Sequence, residues 1–515
     1  MKNLKLSVGF FLILFSFLSS ILFLKDYNQN KLIYIFFSIV VNFFFIKHFF
    51  TKFLITEFLF SFYLWFGFWF SVTLRNILIW NGFLSYENEK KDVIFSRSEG
   101  IVDYKDFQNI LDDSLLLIIF IFVCVIFSFY FINLFYRKLF QFQNFNYKFF
   151  FEFYSRYKNS ILILLLIFTS FVAINNFIFS IYQKGITSNS NLLIVTIFFK
   201  WAYLIGFPFL FSVILFLEIR SKNSRIYLTI TLIIILSSFL YISNLSRAMI
   251  FEILSILIGI ILLYANKNQS IRVIIFTALF GFTISVLSIF VTEDLRNKIY
   301  FETNLKTKII KENLLKENFS EYSDQLVLIK NNSSQINKNS ENNFKNRNNP
   351  NLESRLSQFL YVILNRWVGL EAVVLMKKKE HLLNFELFKE AFNEKKSNNF
   401  SFYEQTFIKE TSERNLSKST FGLILPGIIA FLYYPGSHIF LFFSIFLLVF
   451  FLVSIEKIVQ KISSNNYVLV SVVSNIVVYR LIHFGYAPKD SYLLFGSLFL
   501  TLFIYYLIIN YFRKN

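Results

Sequence analysis

Apolar runs long enough to cross a bilayer recur along most of this chain, and no other feature constrains its fold so tightly. A helix needs about 20 residues to span the hydrocarbon core. Such runs fall near 6–24, 32–46, 53–72, 115–135, 160–181, 192–217, 226–244, 248–265, 272–291, 438–456, 467–484 and 490–510. In lipid every backbone N–H and C=O must find its partner within the protein, so a chain of such runs folds as a helical bundle. The expected fold class is all-α: a polytopic membrane bundle of about twelve transmembrane helices, with a large external loop that itself contains helices. Composition agrees. Of 515 residues 56% are hydrophobic and only 16% are charged, against about 25% charged in soluble domains. The 74 phenylalanines accompany just 14 glycines and abundant Ile, Asn and Lys. That pattern is the output of an AT-rich coding sequence filling lipid-facing positions, not an aromatic binding device. The one cysteine, Cys124, lies inside an apolar run, which excludes a disulfide framework and a Cys-based metal site.

Orientation follows from Lys and Arg in short loops. "KHFFTK", "EIRSKNSR", "NKNQSIR" and "EKIVQK" are basic and alternate with less basic loops. Placing them in the cytoplasm puts both termini there too, and the net acidic loop 75–114 outside. The first run follows "MKNLK" but lacks a small-residue cleavage site, so it is expected to remain as a membrane anchor. Three regions result: 1–291 with the first nine spans, 292–420 as an external, periplasmic loop, and 421–515 with a re-entrant segment and the last three spans. Within the loop, 331–351 ("NNSSQINKNSENNFKNRNNPN") is Asn-rich and too polar to bury a core, and is expected to be a disordered insert. The following segment, 352–381, has a helical pattern, with Arg355, Phe359, Val362 and Arg366 on one face. Residues 421–438 ("FGLILPGIIAFLYYPGSH") are apolar but short and broken by Pro and Gly, as in helices that line a cavity at membrane depth.

Against the positive-inside trend, Arg247 stands on the outer side, in "YISNLSRAMIFEI" between the seventh and eighth spans. It reads either as an interfacial arginine snorkelling to headgroups or as part of a site. The second reading gains from its companions on the same side: Arg75, Arg296, Arg366, Arg480 and Lys489. The planar fork of arginine suits phosphate oxygens. A lipid with a diphosphate head therefore fits an array of arginines at one membrane face.

The overall organisation resembles that of bacterial O-antigen polymerases, the oligosaccharide repeat unit polymerase family. The features that carry the resemblance are about twelve spans, "SRAMIFEIL" opening a helix, "NRWVGLEAVV", a large late external loop, and "LPGIIAFLYYPG" after it. The Asn-rich insert departs from the usual loop. The resemblance implies a GT-C-like, metal-independent glycosyltransferase of the bacterial inner membrane. Such an enzyme moves a growing glycan from its undecaprenyl diphosphate carrier onto the next lipid-linked repeat unit. Its partners would be undecaprenyl diphosphate-linked oligosaccharide and membrane lipid, with other polysaccharide-assembly proteins as further candidates.

That chemistry needs cations for the departing diphosphate and a base for the attacking hydroxyl. Arg247, Arg296, Arg366 and Arg480 are the candidates for diphosphate binding, and Glu371, Glu252 and His381 for catalysis, with Asp294 also considered. Each carboxylate or histidine has a plainer reading. Glu252 lies about one turn inside the membrane, where an acid is expensive, and reads equally as an ion-pair partner of Arg247. Glu371 reads as a solvated helix position, and His381, after "KKKE", as an exposed side chain. Arg355 and Arg366 stand roughly 16 Å apart along a helix, so one diphosphate cannot join them; Arg366, beside Trp367, is favoured. Glu57 and Lys200, inside or near spans, read as parts of a polar pathway or, for Lys200, as support for a kinked helix.

No metal or cofactor is expected. His48, His381, His438 and His483 show no ligand spacing, and neither a paired-carboxylate site nor a Gly-rich nucleotide loop is present. The net charge of +19 reads as cytoplasmic loops meeting anionic lipid, not as nucleic-acid binding. Two alternatives stay open: an O-antigen ligase-type enzyme, and a non-enzymatic transporter or flippase of lipid-linked sugars, although no internal repeat of the transporter kind is visible.

Overall fold

The computed structural model describes residues 11, 13–19, 21, 31–50, 54–74, 93–96, 100–139, 148–184, 193–221, 225–264, 270–318, 369–394, 402–408, 426–463, 465–483 and 488–514. Among these residues the chain is helical apart from one two-stranded antiparallel ribbon. The helices are α1 (Lys31–Phe50), α2 (Ile55–Trp65), α3 (Tyr104–Leu139), α4 (Lys148–Phe179), α5 (Leu193–Trp201), α6 (Phe207–Arg220), α7 (Ile226–Ser243), α8 (Met249–Tyr264) and α9 (Ser270–Asn318). After them come α10 (Leu370–Lys378), α11 (Phe385–Phe392), α12 (Ile428–Leu432), α13 (His438–Ile462), α14 (Tyr467–Val478) and α15 (Pro488–Lys514). The ribbon pairs β1 (Val93–Ser96) with β2 (Gly100–Asp103) and falls in the loop expected between the third and fourth spans. Among the described residues eight helices are long and apolar enough to cross a membrane, and two shorter apolar helices, Met249–Leu263 and Tyr467–Ile482, join them. The chain is a multi-span helical membrane protein.

Some helices outrun their apolar runs. α9 continues to Asn318 although its apolar part ends at Arg296. Residues 292–318 contain no Gly or Pro and many Lys, Glu and Leu, which sustain a helix after hydrophobicity ends. α4 likewise begins at Lys148, ahead of its apolar run. π-helical turns follow α2 (Phe66–Phe70), α5 (Ala202–Gly206) and α14 (Tyr479–His483), and each widens a span by one residue per turn. The turn after α5 begins two residues beyond Lys200, whose neighbour Trp201 donates to Thr501 Oγ1 at 2.9 Å.

α14 is the hub. Its sequence, "YVLVSVVSNIVV", is mostly apolar, and its few polar residues, Ser471, Ser474 and Asn475, are buried as well, as in a helix enclosed by protein. Its valines would favour a strand in water; in lipid the helix wins because it satisfies its own backbone. Leu469, Val470, Val473 and Val477 join one core with α1, α2, α3 and α13. Val468 and Val472 join a second core with α4, α6, α7 and α8. The most extensive helix pair is α8 with α14. There the Asn475 side chain links three helices: it accepts from Tyr63 Oη at 2.7 Å and donates to the Phe251 carbonyl at 3.1 Å.

Buried charges at the end of the bundle away from the 244–248 turn are satisfied internally. The Glu456 carboxylate caps α2, taking the amides of Ile55 at 3.0 Å and Thr56 at 2.7 Å. Two orphan donors at a helix N-terminus suit one anion. Glu57 accepts from Asn133 Nδ2 at 3.1 Å. Lys158 Nζ lies 2.6 Å from Glu218 Oε1, and Tyr154 donates to Oε2 at 2.9 Å. Glu218→Gln is expected to cost about 3–5 kcal/mol, because it strands a buried ammonium. The loss should show as a lower unfolding temperature in detergent. Adding Lys158→Met should restore most of it.

Residues 426–437 form the short helix α12, a turn through Gly436 (φ 68°), and the entry to α13. Ile428, Ile429, Ala430, Phe431, Tyr433 and Tyr434 are all buried. The expected insert 331–351, Arg355, Arg366, Arg75, most of the first expected span and residues 421–425 lie outside the described residues.

Candidate functional site

The turn between α7 and α8 ends α7 with paired reverse bonds: Ser246 N to Tyr241 O at 2.9 Å and Leu245 N to Ile242 O at 3.0 Å. This is a Schellman closure. It requires a left-handed residue, here Leu245 at φ 51°, where glycine is usual. The Leu245 side chain is fully buried, and that burial holds a conformation that costs a bulky residue about 1 kcal/mol or more. The closure sets the chain direction that carries Arg247 into α8.

Arg247 forms an ion pair with Glu293, through one guanidinium nitrogen and one carboxylate oxygen, the side chains 13% and 26% exposed. One turn along α9, buried Arg296 donates from Nη2 to the Lys184 carbonyl at 2.8 Å. The Lys184 amide donates to the Asn244 carbonyl at 3.0 Å. Because Asn244 precedes Arg247 by three residues, these bonds close a ring through the end of α4, the α7–α8 turn and α9. Buried Asn176 holds the ring from below. Its amide nitrogen donates to the carbonyls of Tyr182 (3.0 Å) and Ser243 (3.1 Å), and its oxygen accepts from the Tyr182 amide (2.8 Å). Tyr203 and Ser243 share a 2.6 Å hydroxyl bond beside it. Asn176→Leu removes a partner from the buried Ser243 carbonyl and from the partly buried amide and carbonyl of Tyr182, and is expected to destabilise the protein by about 1–3 kcal/mol. Unfolding temperature in detergent checks this.

Glu252 lies in the first turn of α8, 5% exposed. Ser237 Oγ donates to its Oε1 at 3.1 Å. The carboxylate thus faces α7. The alternative reading of Glu252, an ion pair with Arg247, is not the pairing seen: Glu293 holds Arg247. The neighbouring Phe251 ring packs against Tyr479 (5.0 Å between centroids) and Tyr63 (5.6 Å). Arg480 follows Tyr479 in the π-helical turn beyond α14, partly buried.

Glu371 and His381 belong to the region formed by α10 to α12. Glu371 lies in the first turn of α10, its side chain outside the described residues. His381 is exposed in the turn Glu380–Leu382. Its neighbour Glu380 is engaged by Lys377 at 2.7 Å and by Tyr433 Oη at 3.5 Å. Burial alone would lower the Lys377 ammonium, but its bonds to Glu380 and Tyr433 outweigh that and hold its pKa above the usual lysine value. Asp294 is exposed, and Lys489 has its backbone in α15 and its side chain outside the described residues. Two small cavities, one beside Phe68, Gly369 and Ile482, the other beside Glu394, Tyr403 and Pro488, touch none of the candidate site residues. Among the described residues no group of three His, Cys, Asp or Glu side chains is placed to hold a metal ion.

The structure therefore brings Arg247 and Arg296 together, with Glu252 about one and a half turns along from Arg247. Sequence reading missed Glu293, Asn176 and the Lys184 carbonyl. One signal for α9 was available. Thr277, Gly281, Ser285, Ser288, Thr292 and Arg296 follow i+3/i+4 spacing and are all buried, a small and polar face pressed on α7 and α8. Comparison with protein-family models, curated proteins and solved structures gave no significant match in any of the three.

Proposed function

We propose that this chain is a metal-independent membrane glycosyltransferase that polymerises lipid-linked oligosaccharide repeat units, taking the growing glycan from an undecaprenyl diphosphate carrier. The observation that carries the reading is the meeting of Arg247 and Arg296 at one end of the bundle, on elements held by the Asn176 ring. In this reading the end with the α7–α8 turn faces the periplasm, about twelve spans cross the inner membrane, and both termini are cytoplasmic. The arginine forks stabilise the charge that develops on the departing diphosphate. A hydroxyl of the acceptor sugar attacks the anomeric carbon, the bond to the diphosphate oxygen breaks, and a base takes the hydroxyl proton. Glu252 is the buried carboxylate closest along the chain to Arg247, with Glu371 and His381 as the other candidates; Arg366 and Arg480 would complete the cationic lining.

Purified protein in liposomes, given an undecaprenyl diphosphate-linked repeat unit alone, should produce a glycan ladder and free undecaprenyl diphosphate. A ligase would form no product without a lipid A core acceptor, and a transporter would move the substrate without forming any new bond; either result sinks the proposal. Reporter fusions should read cytoplasmic at residue 222 and external at 340.

A further inference from the structure

Two ion pairs between charged residues of different spans differ in construction. In Lys158–Glu218 the side chains are 7% and 0% exposed, and Tyr154 holds the second carboxylate oxygen. That pair is closed. Arg247–Glu293 is at the opposite end of the bundle, with side chains 13% and 26% exposed. Among the described residues Glu293 has Arg247 as its only partner. The ring that shapes this end does not need Glu293: Arg296 to Lys184, Lys184 to Asn244, and Asn176 to Tyr182 and Ser243 close it.

We propose that Glu293 is an exchangeable internal counter-ion: it holds the Arg247 fork in place between turnovers and gives way to the phosphate oxygens of the lipid carrier. This rests on the function proposed above. A single-contact carboxylate carries one charge, whereas a diphosphate carries more and can take a guanidinium through two parallel bonds, so the ligand displaces it. The same competition works in reverse after transfer. A diphosphate product held by two arginines leaves slowly unless something retakes a fork, and Glu293 is tethered beside it. Glu293 is thus a positioning residue that trades affinity for release.

The test uses full-length protein in detergent, with farnesyl diphosphate as probe and phenylglyoxal labelling of Arg247 read by mass spectrometry. Glu293→Gln should label Arg247 severalfold faster with no diphosphate present. It should bind farnesyl diphosphate about tenfold more tightly, since one charge-assisted bond no longer has to be broken. In turnover it should lower both KM and kcat, a pattern that a merely structural role does not produce. Glu293→Asp, which keeps the charge but draws it back, should move the same way by less, and serves if the glutamine variant fails to fold. Unchanged labelling of Arg247 in the folded variant overturns the counter-ion role, whatever the diphosphate does. Faster labelling without farnesyl diphosphate binding by either protein overturns the carrier reading, and the exchange with it.

Discussion

Arg247→Lys is expected to abolish long-chain glycan while membrane protein stays at its normal level. Lysine keeps the charge but presents a point ammonium instead of a planar fork, so it cannot bind two phosphate oxygens in parallel. A desolvated phosphate contact is worth a few kcal/mol, about two decades in rate. Arg247→Ala should do at least as much. The local fold should survive both changes, because the Schellman closure and the Asn176 bonds do not use the Arg247 side chain. A snorkelling arginine gives the opposite pattern: lysine substitutes freely, and alanine lowers protein abundance. Glycan length on a gel, beside protein level in the membrane, separates the two. Full-length polymer from Arg247→Lys would leave Arg247 as an interfacial anchor or a simple point charge.

The second large effect is expected at Gly259. A Cβ there would lie 2.5 Å from Val468 Cα and 3.0 Å from the Tyr467 carbonyl and the Val468 amide. These are backbone atoms, so no side chain can rotate away and the α8–α14 pair must open. Gly259→Ala should cost about 1–3 kcal/mol, and Gly259→Leu substantially more. Separation would weaken the bond from Asn475 to the Phe251 carbonyl and the packing of Phe251 on Tyr479. Because Glu252 follows Phe251, activity should fall along with the unfolding temperature. Gly496→Ala is the control. Its Cβ would meet nothing within 4 Å in α15, so the helix should gain up to about 1 kcal/mol from the added propensity. A Gly259→Ala protein as stable as wild type would show that α8 and α14 are less tightly joined than the geometry states.

Much of the bundle was legible because apolarity is a local property. Each run of about 20 residues declares itself a span, and lipid leaves the backbone no alternative to a helix. That is why even valine-rich 467–478 reads as a helix, and why α13 starts at His438, just after Pro435 and Gly436. The position of Arg247 between two spans was equally visible, since the break in hydrophobicity is in the sequence itself.

The partners of these groups were not legible. Glu456 caps an amide 400 residues away at Thr56, and Arg247 meets Glu293 rather than the nearer Glu252. Such choices depend on how each helix is rotated about its axis and which neighbours it has, and no local pattern records either. The left-handed Leu245 illustrates the same limit: the turn lacks the glycine that would announce it, because burial of the leucine side chain supplies what glycine's freedom usually does. The sequence by itself thus determined where the helices run and which charges reach the membrane ends. Only the tertiary structure decided which charge faces which, because hydrophobic burial is indifferent to partner identity while hydrogen bonds and ion pairs, short and directional, are not.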